Sequence, residues 1–145
     1  MRPYMPARPG LTLVELCLVL TIIGLVAMIG VRQLALYVDR AAAHAAILEA
    51  AGLVARARDE AVAQRTLVSV RFDTIGDALE VRLGGTVLSR AALGHAHGVS
   101  LAANRDSLTY DVRGLGYGAA NLTLVARRGR AADSLVVSRL GRLRW

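Results

Sequence analysis

Gly10-Leu11-Thr12-Leu13-Val14-Glu15-Leu16 decides how the rest of the chain is read, because it sets one small residue and one carboxylate at the head of an apolar run that continues to Val31. As a helix, the 21 residues from Leu11 to Val31 extend about 31 Å at about 1.5 Å per residue, enough to cross the hydrocarbon of a bilayer. Glu15 is the anomaly. An acidic side chain in a membrane helix costs on the order of 2.5–3.5 kcal/mol near the centre and less near an end, so its presence implies a partner or a function.

Two simpler readings of the same run explain less. In a secretory signal peptide, Arg2 and Arg8 would form the basic head and Ala41-Ala42-Ala43 a small-residue cleavage site. Such apolar regions are about 7–15 residues long, and a glutamate near the start is atypical. A plain membrane anchor accounts for the span and, with the basic leader kept cytoplasmic, for its orientation. It gives no reason for Gly10 or Glu15.

With those residues in view, the chain resembles the type IV prepilin family, which includes the pseudopilins of type II secretion systems. The resemblance is carried by Gly10, Thr12, Leu13, Val14, Glu15 and Leu16 behind the short leader with Arg2 and Arg8. It implies that a membrane prepilin peptidase cuts between Gly10 and Leu11 on the cytoplasmic side and methylates the new amine of Leu11. It also implies that Glu15 neutralises the terminal amine of a neighbouring subunit during filament assembly. Such pairing gives a physical reason for the charge, since an unpaired ion in low dielectric is expensive and a paired one much less so. Leu11 stands where the family usually has phenylalanine, an apolar exchange. Where many members carry a proline late in the membrane segment, this chain reads Gly30-Val31-Arg32-Gln33, leaving Gly24 and Gly30 as the helix-weakening residues.

Composition fits a small membrane-tethered protein of 145 residues, one modest domain once the span is set aside. All 18 basic residues are arginine, against 11 acidic residues, for a net charge of +7. That balance suits acidic partners, including nucleic acid and anionic lipid headgroups, but is weak evidence alone. The single cysteine, Cys17, lies in the apolar run. It reads as a small apolar side chain, because burial in hydrocarbon disfavours the thiolate, and it leaves the outer domain to be held by packing.

Beyond Arg32 the helical pattern continues without proline, with eleven alanines from Val38 to Ala63. Ile47, Val54 and Ala61 recur at sevens, and Ala50, Leu53 and Ala57 form a neighbouring stripe, predicting one buried face. Arg56 and Glu60 stand at i and i+4, a pair that supports a helix on its exposed side. The period then changes to two. Val68, Val70 and Phe72 alternate with Ser69 and Arg71, and Leu79, Val81 and Leu83 with Glu80 and Arg82, around a turn from Asp73 to Asp77. Gly84-Gly85 predicts a tight hairpin into Thr86, Val87 and Leu88. Further strands are expected at Val99–Leu101, Ser107–Val112, Leu122–Ala126 and Leu135–Arg139. The expected fold is α+β and pilin-like: a leader over residues 1–10, a long helix over 11–64 with a transmembrane part over 11–31, and an antiparallel β domain over 65–145 that packs on the helix, because alone its core would be thin.

No catalytic constellation survives inspection, no cofactor is implied, and the chain reads as a non-enzyme. His95-Ala96-His97 offers two metal ligands with no acidic or cysteine ligand near in sequence, and its flanking glycines predict a solvated loop. Gly114-Leu115-Gly116-Tyr117-Gly118-Ala119 imitates a dinucleotide fingerprint, yet a strand follows where that motif needs a helix N-terminus. Asp73 and Asp77 flank a turn and lack the setting of an acid/base pair.

The C-terminal stretch carries Arg127, Arg128, Arg130, Arg139, Arg142 and Arg144 against one acid, Asp133, and ends Gly141-Arg142-Leu143-Arg144-Trp145. Two readings stand. Arg142 and Arg144 could contact phosphates while Trp145 stacks on a base, or the arginines could guard a sheet edge against aggregation or meet a neighbouring subunit. This region is similar to GspH/FimT-type minor pilins and pseudopilins, through Arg113-Gly114-Leu115-Gly116 and Ser138-Arg139-Leu140-Gly141-Arg142. That resemblance implies a low-abundance subunit that helps initiate or cap a filament, in type II protein secretion or a related type IV pilus. It would be inserted once in the bacterial inner membrane, with its C-terminal domain periplasmic before it enters a periplasmic or extracellular filament. Implied partners are the peptidase, major and minor pseudopilins, the inner-membrane assembly platform and membrane lipid. DNA joins them by the Gly-Arg-x-Arg form of residues 141–144, which in some members serves DNA uptake during natural transformation.

Overall fold

A computed structural model describes Gly10, residues 12–118 and residues 121–145. Residues 1–9 and Leu11, on which the leader, cleavage and methylation expectations fall, lie outside the described residues. The chain divides into two units at the junction of Ala35 and Leu36. Helix α1 runs over Leu13–Ala63, within two residues of the expected bounds.

In the first unit the helix is mostly apolar, Glu15 its one acidic residue, and its described side chains are exposed. It has the length and hydropathy to cross a membrane, and its most apolar window has no buried residue.

The second unit packs the remainder of α1 against two four-stranded sheets. The first has the order β3-β2-β1-β5, with β1 at Val68–Asp73, β2 at Ala78–Leu83, β3 at Thr86–Ala91 and β5 at Ser107–Tyr110. The second has the order β4-β6-β7-β8, with β4 at Ser100–Ala103, β6 at Leu122–Arg128, β7 at Ala131–Val137 and β8 at Leu143–Arg144. All named pairings are antiparallel.

The alternation read in the sequence sets the register. Phe72 pairs with Leu79, Val70 with Val81 and Val68 with Leu83, so the apolar side chains of β1 and β2 share the inner face. Leu124 pairs with Leu135 and Leu122 with Val137 in the second sheet. Against these large residues α1 presents small ones: Ala43, Ala46, Ala50, Ala57 and Ala61 are buried with Ile47 and Val54. Small side chains on the helix let two sheets of leucine and valine approach it closely, which joins all three elements in one core.

Four local expectations are corrected. His95 and His97 lie in a one-turn helix, α2 at Leu93–His97, closed by Gly98 in the left-handed region (φ 64°). Its backbone is drawn in where Gly94 donates its N–H to the Asp77 carbonyl at 2.9 Å, a tertiary contact that no local period announces. Arg56 and Glu60 form no ion pair, since Glu60 accepts instead from Gln64 Nε2 at 3.0 Å. The last long strand begins at Ala131 and ends at Val137, four residues before the start and two before the end expected for it. The terminal Leu143–Arg144 forms its own short edge strand.

Candidate functional site

Thr12 caps α1. Its Oγ1 accepts the Glu15 N–H at 3.2 Å, satisfying a donor that has no partner within the helix, while its carbonyl accepts the Leu16 N–H at 3.1 Å in the first intrahelical bond. The Thr-x-x-Glu spacing of a capping box was present in the sequence as a signal. Glu15 therefore sits in the first turn, where a negative charge opposes the positive end of the helix dipole. Thr21, one of the few polar residues in the run, returns its hydroxyl to the Cys17 carbonyl at 2.8 Å. What remains outward is almost wholly apolar, with Leu13 at 79% and Ile29 at 68% exposure. A surface of that extent marks a membrane or protein contact.

The second candidate region is the C-terminal edge. Arg142, Arg144 and Trp145 are exposed, and among the described residues neither arginine has an acidic partner. Ser134, Val136, Arg144 and Trp145 line a shallow groove of about 260 Å³ on the second sheet. The strand is held by a tight turn. Ser138 donates its N–H to the Arg142 carbonyl at 2.9 Å, and its Oγ accepts the Arg142 N–H at 3.1 Å. Gly141 takes φ 73° and lies so close that a Cβ there would be 3.2 Å from the Gly114 carbonyl oxygen. Arg58 Nε donates to that same oxygen at 3.0 Å. The glycine of the Gly-Arg-x-Arg ending thus belongs to a backbone junction, while its arginines face outward.

The remaining sequence candidates are built into the scaffold. Asp73 Oδ1 accepts from Gly76 N at 2.9 Å and Ile75 N at 3.2 Å; the Gly76 bond in particular holds its carboxyl below the usual range. Asp77 Oδ1 accepts the Leu101 N–H at 2.7 Å and so ties the β1–β2 turn to the second sheet. His97 Nε2 lies 2.7 Å from Glu49 Oε2 on α1, an acidic neighbour 48 residues away in sequence. Asp111 accepts from the Leu115 and Arg113 N–H groups, and the Leu115 bond leads in lowering its pKa. Gly114 and Gly118 take φ 72° and 71°, as turn residues rather than a phosphate cradle.

A capped apolar helix whose second half packs against two antiparallel sheets is the fold of a type IV minor pilin. The chain is similar to two crystal structures of the minor pilin FimU of Pseudomonas aeruginosa. One has a TM-score of 0.61 at 20% identity, over 74% of this chain and 90% of that one. The other has a TM-score of 0.57 at 19% identity, over 70% and 90%. No family model matches the sequence, and no curated protein does.

Proposed function

We propose that the chain is a minor pseudopilin, a structural subunit rather than a catalyst, that helps initiate or cap the filament of a type II secretion system or a related type IV pilus. In this reading residues 11–31 hold the precursor in the inner membrane until the peptidase cuts after Gly10 and methylates Leu11. The apolar helix then leaves lipid for the filament core, where Glu15 meets the amine of a neighbour. The supporting observation is the exposed apolar helix headed by a single carboxylate in its capped first turn. Glu15→Ala should leave insertion and cleavage intact and reduce incorporation into filaments; unchanged incorporation would sink the pairing role. Gly10→Trp should block processing, and a mature N-terminus in that variant would remove the peptidase from the scheme.

A second reading, a DNA-binding minor pilin for natural transformation, draws on the exposed Arg142, Arg144 and Trp145 at the edge of the second sheet. Titration of the whole chain with labelled DNA across a salt series separates the two. Salt-dependent binding lost in an Arg142→Gln/Arg144→Gln variant supports DNA uptake, and no binding at low salt supports the secretion subunit alone.

A further inference from the structure

Three arginines succeed one another around the β6–β7 turn, and among the described residues only the middle one has an acidic partner. Arg128 Nε lies 3.2 Å from Asp39 Oδ1 on α1, and its NH1 donates to the His97 carbonyl at 2.7 Å. Gly129, at φ 54°, leaves space beside Asp39 that a side chain would fill, since a Cβ there would be 2.5 Å from Asp39 Oδ2. The turn is thereby held against the helix at Asp39. Arg127 and Arg130 on either side are exposed and, among the described residues, have no acidic partner.

Asp39 is eight residues beyond Val31, the last residue of the apolar run. As helix, eight residues span about 12 Å, so only a short length of chain separates Asp39 from the apolar run. The polar layer on each side of a bilayer is about 5–8 Å thick, and arginine stems reach several ångströms further while keeping their guanidinium in it. On the same stretch of α1, Arg40 is exposed and, among the described residues, has no acidic partner, and Tyr37 is 70% exposed. Tyrosine prefers the headgroup level, where its ring meets acyl chains and its hydroxyl meets water.

We propose that Arg40, Arg127 and Arg130, with Tyr37, form a basic collar that binds anionic phospholipid headgroups while the subunit waits in the membrane. The proposal rests on the reading that residues 11–31 span the bilayer. Arg128 positions the collar without belonging to it, because its charge is spent on Asp39. The collar would hold the β domain down on the leaflet and let go when the helix is drawn into the filament, where the arginines lose their lipid.

The test uses the full chain in nanodiscs of phosphatidylcholine alone or mixed with phosphatidylglycerol. Modification of each arginine by phenylglyoxal is followed by mass spectrometry, with Arg142 and Arg144 as internal references. Arg127 and Arg130 should react about fivefold more slowly in the anionic discs, the factor that corresponds to an attraction of about 1 kcal/mol per arginine near such a surface. The difference should vanish at high salt. Equal rates in the two compositions overturn the collar. Slowing by a DNA duplex but not by phosphatidylglycerol overturns it too and assigns these arginines to nucleic acid. A chain that fails to stay with discs of either composition removes the span itself, and the collar with it.

Discussion

Arg58 on the long helix donates its Nε–H to the carbonyl oxygen of Gly114, 3.0 Å away and 56 residues later in the chain. The same oxygen lies 3.2 Å from where a Cβ on Gly141 would stand. Helix, first-sheet loop and C-terminal turn therefore meet at one backbone atom. Arg58→Met keeps the stem and removes the donor, and should cost about 1 kcal/mol, a charged hydrogen bond discounted for its partial exposure. Gly141→Ala should cost more than Gly118→Ala. Both glycines take nearly the same left-handed φ, 73° and 71°, with a shared penalty of about 1–2 kcal/mol, but of the two only Gly141 has neighbours within 4 Å among the described residues. Thermal unfolding of the two variants in detergent checks the order, and equal losses would show that the junction tolerates a methyl group.

Tyr110 is 1% exposed, and among the described residues its hydroxyl has no hydrogen-bond partner. Removal of a buried, unpaired hydroxyl relieves a desolvation cost, so Tyr110→Phe should be neutral or stabilising by about 1 kcal/mol at neutral pH. Burial pushes the phenol up to about 12, against the ordinary 10.0 in the unfolded chain. A raised folded-state value means that this group's contribution is complete below about pH 10 and lost as pH climbs from 10 toward 12. Melting curves at pH 8 and pH 11 should therefore show a larger alkaline loss in the native chain than in Tyr110→Phe. Parallel losses would contradict the titration of a buried phenol.

Asp77 combines two demands, a left-handed backbone (φ 47°) and a carboxylate oxygen that takes the Leu101 N–H at 2.7 Å. Asparagine meets both, since it tolerates that conformation and offers an amide oxygen. Alanine meets neither. Asp77→Ala should destabilise by about 2–4 kcal/mol, from an unpaired backbone donor and a strained φ, while Asp77→Asn should lose under about 1 kcal/mol. If both variants unfold at the same temperature, negative charge rather than geometry is what the turn needs.

These residues mark the limit of what local sequence discloses. Val68, Val70 and Phe72, or Ile47, Val54 and Ala61, were legible because burial repeats with the period of their own strand or helix. Arg58, Asp77 and Arg128 were not, because each acts on a backbone or carboxylate at least 24 residues away, and no spacing encodes such a meeting. Glu15 was legible as an oddity in an apolar run, whereas its place in a capped first turn needed Thr12 read together with it. Gly141 was read with its arginines as part of a binding tail, although its φ and its contact with Gly114 assign it to the turn that presents them. β8 escaped notice because two residues hold no period at all.

At the C-terminal edge the two readings of Arg142 and Arg144 predict different salt behaviour. If the side chains neutralise phosphates, the plot of log affinity against log salt for duplex DNA should lose about 2 units of slope in the Arg142→Gln/Arg144→Gln variant, close to one per phosphate contact. Trp145→Ala should act otherwise. It removes a stacking surface, worth about 1–3 kcal/mol on single strands, and leaves the slope as it was, because stacking releases no counterions. Affinity and slope measured for both variants, on single and double strands, separate charge from stacking. A native chain whose slope does not change when both arginines are replaced has them guarding the β8 edge instead, and Arg142→Gln/Arg144→Gln should then aggregate more readily through that edge.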